Sequence, residues 1–150
     1  VPTAVPKASP EDVKLSSNFA LNKGKLPSPI TGNYVISSRY GIHRQSKYVE
    51  TSNDGIDIQS QSGADVRAVF EGDVVTVMAF PGYNYGVIIR HGNYFTFYAN
   101  IQSVYVKQGD KVKTGQTIGK VYTDPDTNTS ELHFQVRKGN VKMNPESWIR

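Results

Sequence analysis

From Tyr34 onward the hydrophobic positions fall into short runs, not long periodic stretches. The runs YVIS (34–37), GIDI (55–58), DVRAVF (65–70), DVVTVMAF (73–80), GVIIRHG (86–92), YFTFYANI (94–101), QTIGKVY (116–122) and LHFQVR (132–137) are rich in β-branched and aromatic residues, with Gly, Asn, Asp and Pro between them. Such runs predict strands. Gly92-Asn93 stands between two of them as a tight-turn pair, so RHGNYF reads as a hairpin. QGDKVKTGQ (108–116) supplies two further turns. No amphipathic segment of helical length follows Gly24. The pattern therefore predicts an all-β domain of mainly antiparallel sheet, a barrel or sandwich, spanning 25–150.

The first 24 residues read differently. Val1 to Pro10 carries three prolines and small residues, the composition of a linker. Ser9 is placed to cap a short helix, with Pro10 in its first turn, Glu11 and Asp12 complementing the helix dipole, and Gly24 ending it. Val13, Leu15, Phe19 and Leu21 form its expected apolar side. KLPSPITG (25–32) then runs extended into the domain. The opening VPTAVPKASPEDVK reads as the interior of a longer protein, so any targeting segment is expected upstream.

Composition narrows the function classes. At 150 residues a single domain can bury roughly 70% of its unfolded surface, enough for a real core. There is no cysteine, which excludes disulfides, thiolate metal sites and a cysteine nucleophile. The net charge of +4 is spread along the chain without a basic run, so nucleic acid is not an expected partner. No apolar run is long enough for a membrane-spanning helix.

The candidate chemistry lies in SNDGIDIQS (52–60), where Asp57 is offered to a cation at the start of a strand. DGIDIQSQSGADVRAVFEGDVV (54–75), NYGVIIRHGNYFTFYANI (84–101), VKQGDKVKTGQTIGKV (106–121) and ELHFQVRKGNVKMNP (131–145) follow in an order and spacing that resembles a lysostaphin-type (LytM, peptidase M23-like) zinc endopeptidase domain. The resemblance covers about Gly41 to Pro145. It implies a site of three zinc ligands and a water: a His, an Asp four residues later, and the second His of a His-x-His strand. Two further histidines, the first of His-x-His and one in a Tyr-x-His segment, would assist the reaction.

Carried onto this chain, the pattern is broken. The first ligand position holds Asn53. Asp57 and His133 are kept as the second and third. The auxiliary positions hold Asn100, in Tyr98-Ala99-Asn100, and Glu131, in Glu131-Leu132-His133. An amide oxygen is a poor zinc ligand, and two ligands should not retain the ion, so no cofactor is expected. Without zinc no water is brought to a pKa near 7, and each lost helper costs on the order of 10² to 10⁴ in rate. A different metal site from Asp57, Glu131 and His133 is the rival expectation, since Glu131 shares a strand face with His133; against it, Glu131 simply fills the groove. His91 is expected to be structural at its hairpin end, and His43 a solvated loop residue near the groove. Tyr83 and Tyr85, in PGYNYG, are expected to border the groove, and of the aromatics Tyr94 to Tyr98 about half should be core.

The resemblance extends to the EnvC/NlpD-type murein hydrolase activators, which keep the fold, lack the metal and switch on zinc-dependent N-acetylmuramoyl-L-alanine amidases in the periplasm. It implies a non-catalytic activator acting during cell division, in the cell envelope. The groove would be lined by Asn53, Asp57, Tyr83, Tyr85, Tyr98, Asn100, Glu131 and His133, with the N-terminal helix as a candidate cover. The alternatives are a peptidoglycan-binding module without a protein client and an active zinc endopeptidase on peptidoglycan cross-links.

Overall fold

The structure, a computed structural model, describes residues 10–44, 46–79, 81 and 84–150. Helix α1 (Pro10–Leu21) is followed by strands β1 (Tyr34–Ser38), β2 (Gly41–Arg44), β3 (Glu50–Asn53), β4 (Ile56–Ser60), β5 (Asp65–Arg67) and β6 (Gly72–Ala79). Then come β7 (Tyr85–His91), β8 (Tyr94–Val104), β9 (Lys111–Val112), β10 (Thr117–Val121), β11 (Ser130–Lys138) and β12 (Val141–Met143), with a 3-10 turn at Pro145–Ser147. The protein is all-β and antiparallel apart from α1. The main sheet runs β1-β4-β11-β8-β7-β6-β9, with β10 pairing both β5 and β8, and β12 pairing β11. Strands β2 and β3 form a separate two-stranded arm.

Alternation decides which residues enter the core. In β4, Ile56 and Ile58 are fully buried, and in β11 so are Leu132, Phe134 and Val136. In β7 and β8 the inward set is Val87, Ile89, Tyr94, Thr96 and Tyr98. Strand β8 pairs with β11 up to Ala99 and with β10 from Ile101. Asn100 sits at this change of partner with φ +74°, a backbone region in which Asn and His are among the few enriched residues.

Helix α1 belongs to the packed domain. Phe19, fully buried, stacks on His91 and Trp148 with ring centroids 4.8 and 4.9 Å apart; truncating such a side chain costs roughly 3–5 kcal/mol. Leu15, one turn earlier, also packs on the core, whereas Val13 and Leu21 are 54% and 73% exposed. The expected apolar side of four residues is therefore two, at i and i+4. The helix sits on the β7–β8 turn, where Asp12 pairs with Arg90 at 2.7 Å and Ser16 Oγ accepts from the Asn93 N–H at 2.6 Å. Gly92 has φ +68° there, and a Cβ on it would overlap Ser16 and the Asp12 carbonyl. The chain ends lock together beside it: Gly24 N–H and Leu26 N–H both donate to the Trp148 carbonyl, and Arg150 N–H donates to that of Leu26. Ser9, the expected cap, lies outside the described residues.

His91 is structural, as its hairpin position suggests. Its Nδ1 lies 2.7 Å from the Glu71 carbonyl oxygen and its Nε2 lies 2.8 Å from Thr96 Oγ1. Thr96 Oγ1 is in turn 2.9 Å from the Tyr98 hydroxyl, which accepts from the Val69 N–H at 3.1 Å. Burial pushes the His91 pKa down to about 4. The unfolded chain, with a histidine pKa near 6.5, binds the proton first, so the stability His91 contributes is present above pH 6.5 and is lost as pH falls from 6.5 to about 4. Urea unfolding should show a loss of roughly 3 kcal/mol over that range, and His91→Gln should flatten the profile there.

Candidate functional site

The site begins with strand register. Asp57 on β4 is the direct cross-strand partner of His133 on β11 and, on its other side, of Ser38 on β1. Because Ile56, Ile58, Leu132 and Phe134 point into the core, Asp57 and His133 point together to the opposite face. The chain reaches β4 from β3 across Gly55, where a Cβ would overlap the Phe134 carbonyl oxygen of β11; this close passage brings Asn53 beside Asp57. Asp54 turns away to Lys142, whose ammonium donates at 2.8 Å and holds the Asp54 carboxyl below its ordinary pKa.

The polar groups then bond to one another. His133 Nδ1 is 2.8 Å from Asp57 Oδ1, and Asn53 Nδ2 donates to Asp57 Oδ2 at 3.3 Å and to Ser38 Oγ at 3.0 Å. Asn53 Oδ1 accepts the Gly55 N–H at 3.1 Å. His133 Nε2 faces Gln135 Nε2 at 2.8 Å, and Gln135 Oε1 accepts from Arg137 Nε and Nη2 at 3.0 and 2.6 Å. His133 is 6% exposed and meets the edge of the Phe97 ring at 6.1 Å.

Above these residues opens a cleft of about 150 Å³ lined by Ser38, His43, Thr51, Ser52, Asn53, Asp57 and His133. The β2–β3 arm supplies one wall, with Gly41 opposite Asn53 and His43 opposite Thr51. His43 is thus a wall residue on a strand, its Nε2 at 2.6 Å from the Arg39 carbonyl oxygen. The lining is rich in hydroxyls, with two histidines, one amide and Asp57 as its single carboxylate.

The other expected groove residues are elsewhere. Tyr98 is a core residue: it is fully buried, its hydroxyl sits in the His91–Thr96 chain, and burial raises its pKa. The inward phase of β8 decides this. Asn100 spans strands, donating through Nδ2 to the Glu131 carbonyl at 2.7 Å and accepting from Asn84 Nδ2 at 2.6 Å. Glu131 is exposed and accepts from Ser37 Oγ at 3.0 Å. Neither lines the cleft, nor does Tyr85, which is 47% exposed at the start of β7. Tyr83 lies outside the described residues. Helix α1 sits over the β7–β8 turn and supplies no lining residue, so among the described residues it does not cover the cleft. Ser38, Thr51, Ser52, Gln135 and Arg137 were not picked out from the sequence. For the last two a signal existed, because residues 131, 133, 135 and 137 share a strand face.

The sequence model of peptidase family M23 matches residues 51–145. The chain belongs to that family. The M23 segment contains β4, β8, β11 and all of β3 but its first residue, the strands that carry Asp57, Asn100, His133 and Asn53. Murein hydrolase activator EnvC of Escherichia coli (strain K12) is 30% identical over 112 residues, covering 74% of this chain and 26% of that protein. Stage II sporulation protein Q of Bacillus subtilis (strain 168) is 39% identical over 102 residues, 63% of this chain and 35% of that protein. A chain of the solved SpoIIQ–SpoIIIAH pore-forming complex superposes with a TM-score of 0.72 at 26% identity, over 85% of this chain and 92% of that one. The M23 chain spans about a quarter to a third of the length of these curated relatives.

A zinc ion does not fit the donor set present. The oxygen of Asn53 is turned to the Gly55 N–H, which leaves Asp57 and His133 as ligand types at the M23 positions. Among the described residues no group of three or more His, Cys, Asp or Glu side chains is gathered closely enough to hold a metal ion, and Glu131 does not join Asp57 and His133. The arrangement favours hydrogen bonding over metal binding. Asp57→Ala should remove the Asp57 carboxylate that faces the buried His133 Nδ1 and leave Asn53 Nδ2 with Ser38 Oγ, at a cost of about 1–3 kcal/mol, read as a lowered urea midpoint at pH 7 with the slope unchanged.

Proposed function

We propose that this chain is a non-catalytic, zinc-free M23 domain that binds a cell-wall N-acetylmuramoyl-L-alanine amidase in the bacterial envelope and switches it on. The observation that carries this reading is the closed hydrogen-bond set at the ligand positions: Asn53, Asp57 and His133 bond to one another below an open polar cleft. A cleft so built offers acceptors and hydroxyls to a protein segment, while lacking the third ligand and the auxiliary histidines of a hydrolase. The likeness to murein hydrolase activator EnvC supports the same reading, and no helix among the described residues is long and apolar enough to cross a membrane.

The mechanism is a shift in population. The cleft holds a segment of the amidase in the form it takes when the enzyme's own active site is open. Activation cannot exceed the cleft's preference for that form, and a tenfold effect requires only about 1.4 kcal/mol of differential binding. A second reading, a module that binds peptidoglycan itself, is favoured by the hydroxyl-rich lining and by the exposed Tyr85, whose flat ring and polar tip suit sugar contact.

Dye release from labelled sacculi separates the readings. The chain alone should release nothing, with or without added zinc, and should raise release by a purified cognate amidase about tenfold or more. Asp57→Arg, which fills the cleft with a cation, should abolish the stimulation. Sedimentation with sacculi without stimulation of any amidase would favour the wall-binding module; zinc-dependent release by the chain alone would overturn both.

A further inference from the structure

The hydrogen bonds around His133 have a direction. Arg137 Nε and Nη2 can only donate, and both end on Gln135 Oε1, at 3.0 and 2.6 Å. That fixes the Gln135 amide: its NH2 group is the end that faces His133 Nε2 at 2.8 Å. An amide NH2 also only donates, so His133 Nε2 must be the bare, accepting nitrogen. A neutral imidazole carries a single N–H. The proton is therefore on Nδ1, where it is donated to Asp57 Oδ1 at 2.8 Å. On the far side of Asp57 the same logic holds, since the Gly55 N–H fixes Asn53 Oδ1 and so turns Asn53 Nδ2 toward Asp57 Oδ2. The chain of donation runs one way, from Arg137 through Gln135 and His133 to Asp57.

Any metal shared by His133 and Asp57 must use the lone pair of the nitrogen that faces Asp57. That nitrogen is Nδ1, and in this protein it holds the proton. We propose that Gln135, oriented by Arg137, is a metal-excluding residue: it keeps His133 in the Nδ1–H tautomer and so withholds the ligating lone pair from the cleft. Asn53 is then only half of the reason the site does not take zinc. Restoring a histidine at position 53 supplies a third ligand but leaves the second histidine facing the ion with its N–H. A carboxylate at position 135 would accept from Nε2 instead of donating to it, would keep its pair with Arg137, and would move the proton to the nitrogen away from the cleft. Groups that hold the outer nitrogen of a ligating histidine change metal affinity by roughly 10- to 100-fold.

This inference deepens the zinc-free reading above and rests on it for its biological meaning, but its test is separate from amidase activation. The chain has three histidines, His43, His91 and His133, so long-range ¹H–¹⁵N correlation spectra assign each ring once His133→Gln is compared. In the unaltered protein His133 should show a protonated Nδ1 and a bare Nε2, and Gln135→Glu should exchange them. Zinc affinity, measured by competition with a chromogenic chelator, should be 10- to 100-fold tighter for Asn53→His with Gln135→Glu than for Asn53→His alone. A bare Nδ1 in the unaltered protein, or equal affinity in the single and double variants, overturns the proposal. Failure of these readouts leaves the amidase stimulation assay untouched, and failure of that assay leaves the tautomer result standing.

Discussion

The pairing of β4 with β11 is the constraint on which the rest of the site depends. It sets Asp57 against His133 and turns both to the face opposite Ile58 and Phe134. A slip of β4 by one residue would send the Asp57 carboxylate into the core, away from His133, and the isoleucines to the cleft. The apolar cost of that slip is what holds the polar pair in place, so the core specifies the site without touching it. Gly55 adds the second condition, because only a residue without a side chain lets β3 deliver Asn53 past the backbone of β11.

Two polar chains, one buried and one partly buried, divide the domain. One runs from Val69 through Tyr98, Thr96 and His91 to Glu71 and ties the β8 interior to the turn under α1. The other runs from Arg137 through Gln135 and His133 to Asp57 and Asn53. Among the described residues no buried side-chain nitrogen or oxygen is left without a partner. A satisfied network is rigid and specific. In the second chain Asn53, Asp57 and His133 are committed to one another, and the β2–β3 arm adds His43, Thr51 and Ser52 to the wall of the cleft above them.

Much of the fold was legible because burial alternates along its strands. GIDI, GVIIRHG, YFTFYANI and LHFQVR are strands, and the Gly92-Asn93 hairpin is where its turn residues place it. The β2–β3 arm was not legible. GIHR and ETSN show no alternation of apolar and polar residue types, since the arm stands off the main sheet with Ile42 71% exposed, and a pattern that reads hydrophobic periodicity finds nothing there. Tyr98 was misplaced for a related reason. Its neighbours Phe95, Phe97 and Tyr94 are all aromatic, so the sequence shows a period of two but not which phase faces inward; the His91–Thr96 contact decides that.

The sequence by itself determined the donor types available near Asp57, the absence of thiols and the strand that carries His133, because residue identity and alternation are local properties. Which nitrogen, oxygen and hydroxyl meet was decided only by tertiary structure. Asn53, Asp57, His133 and Gln135 come from three strands, and the direction of each amide is fixed by partners, Gly55 N–H and Arg137, that only the folded register brings within hydrogen-bond reach.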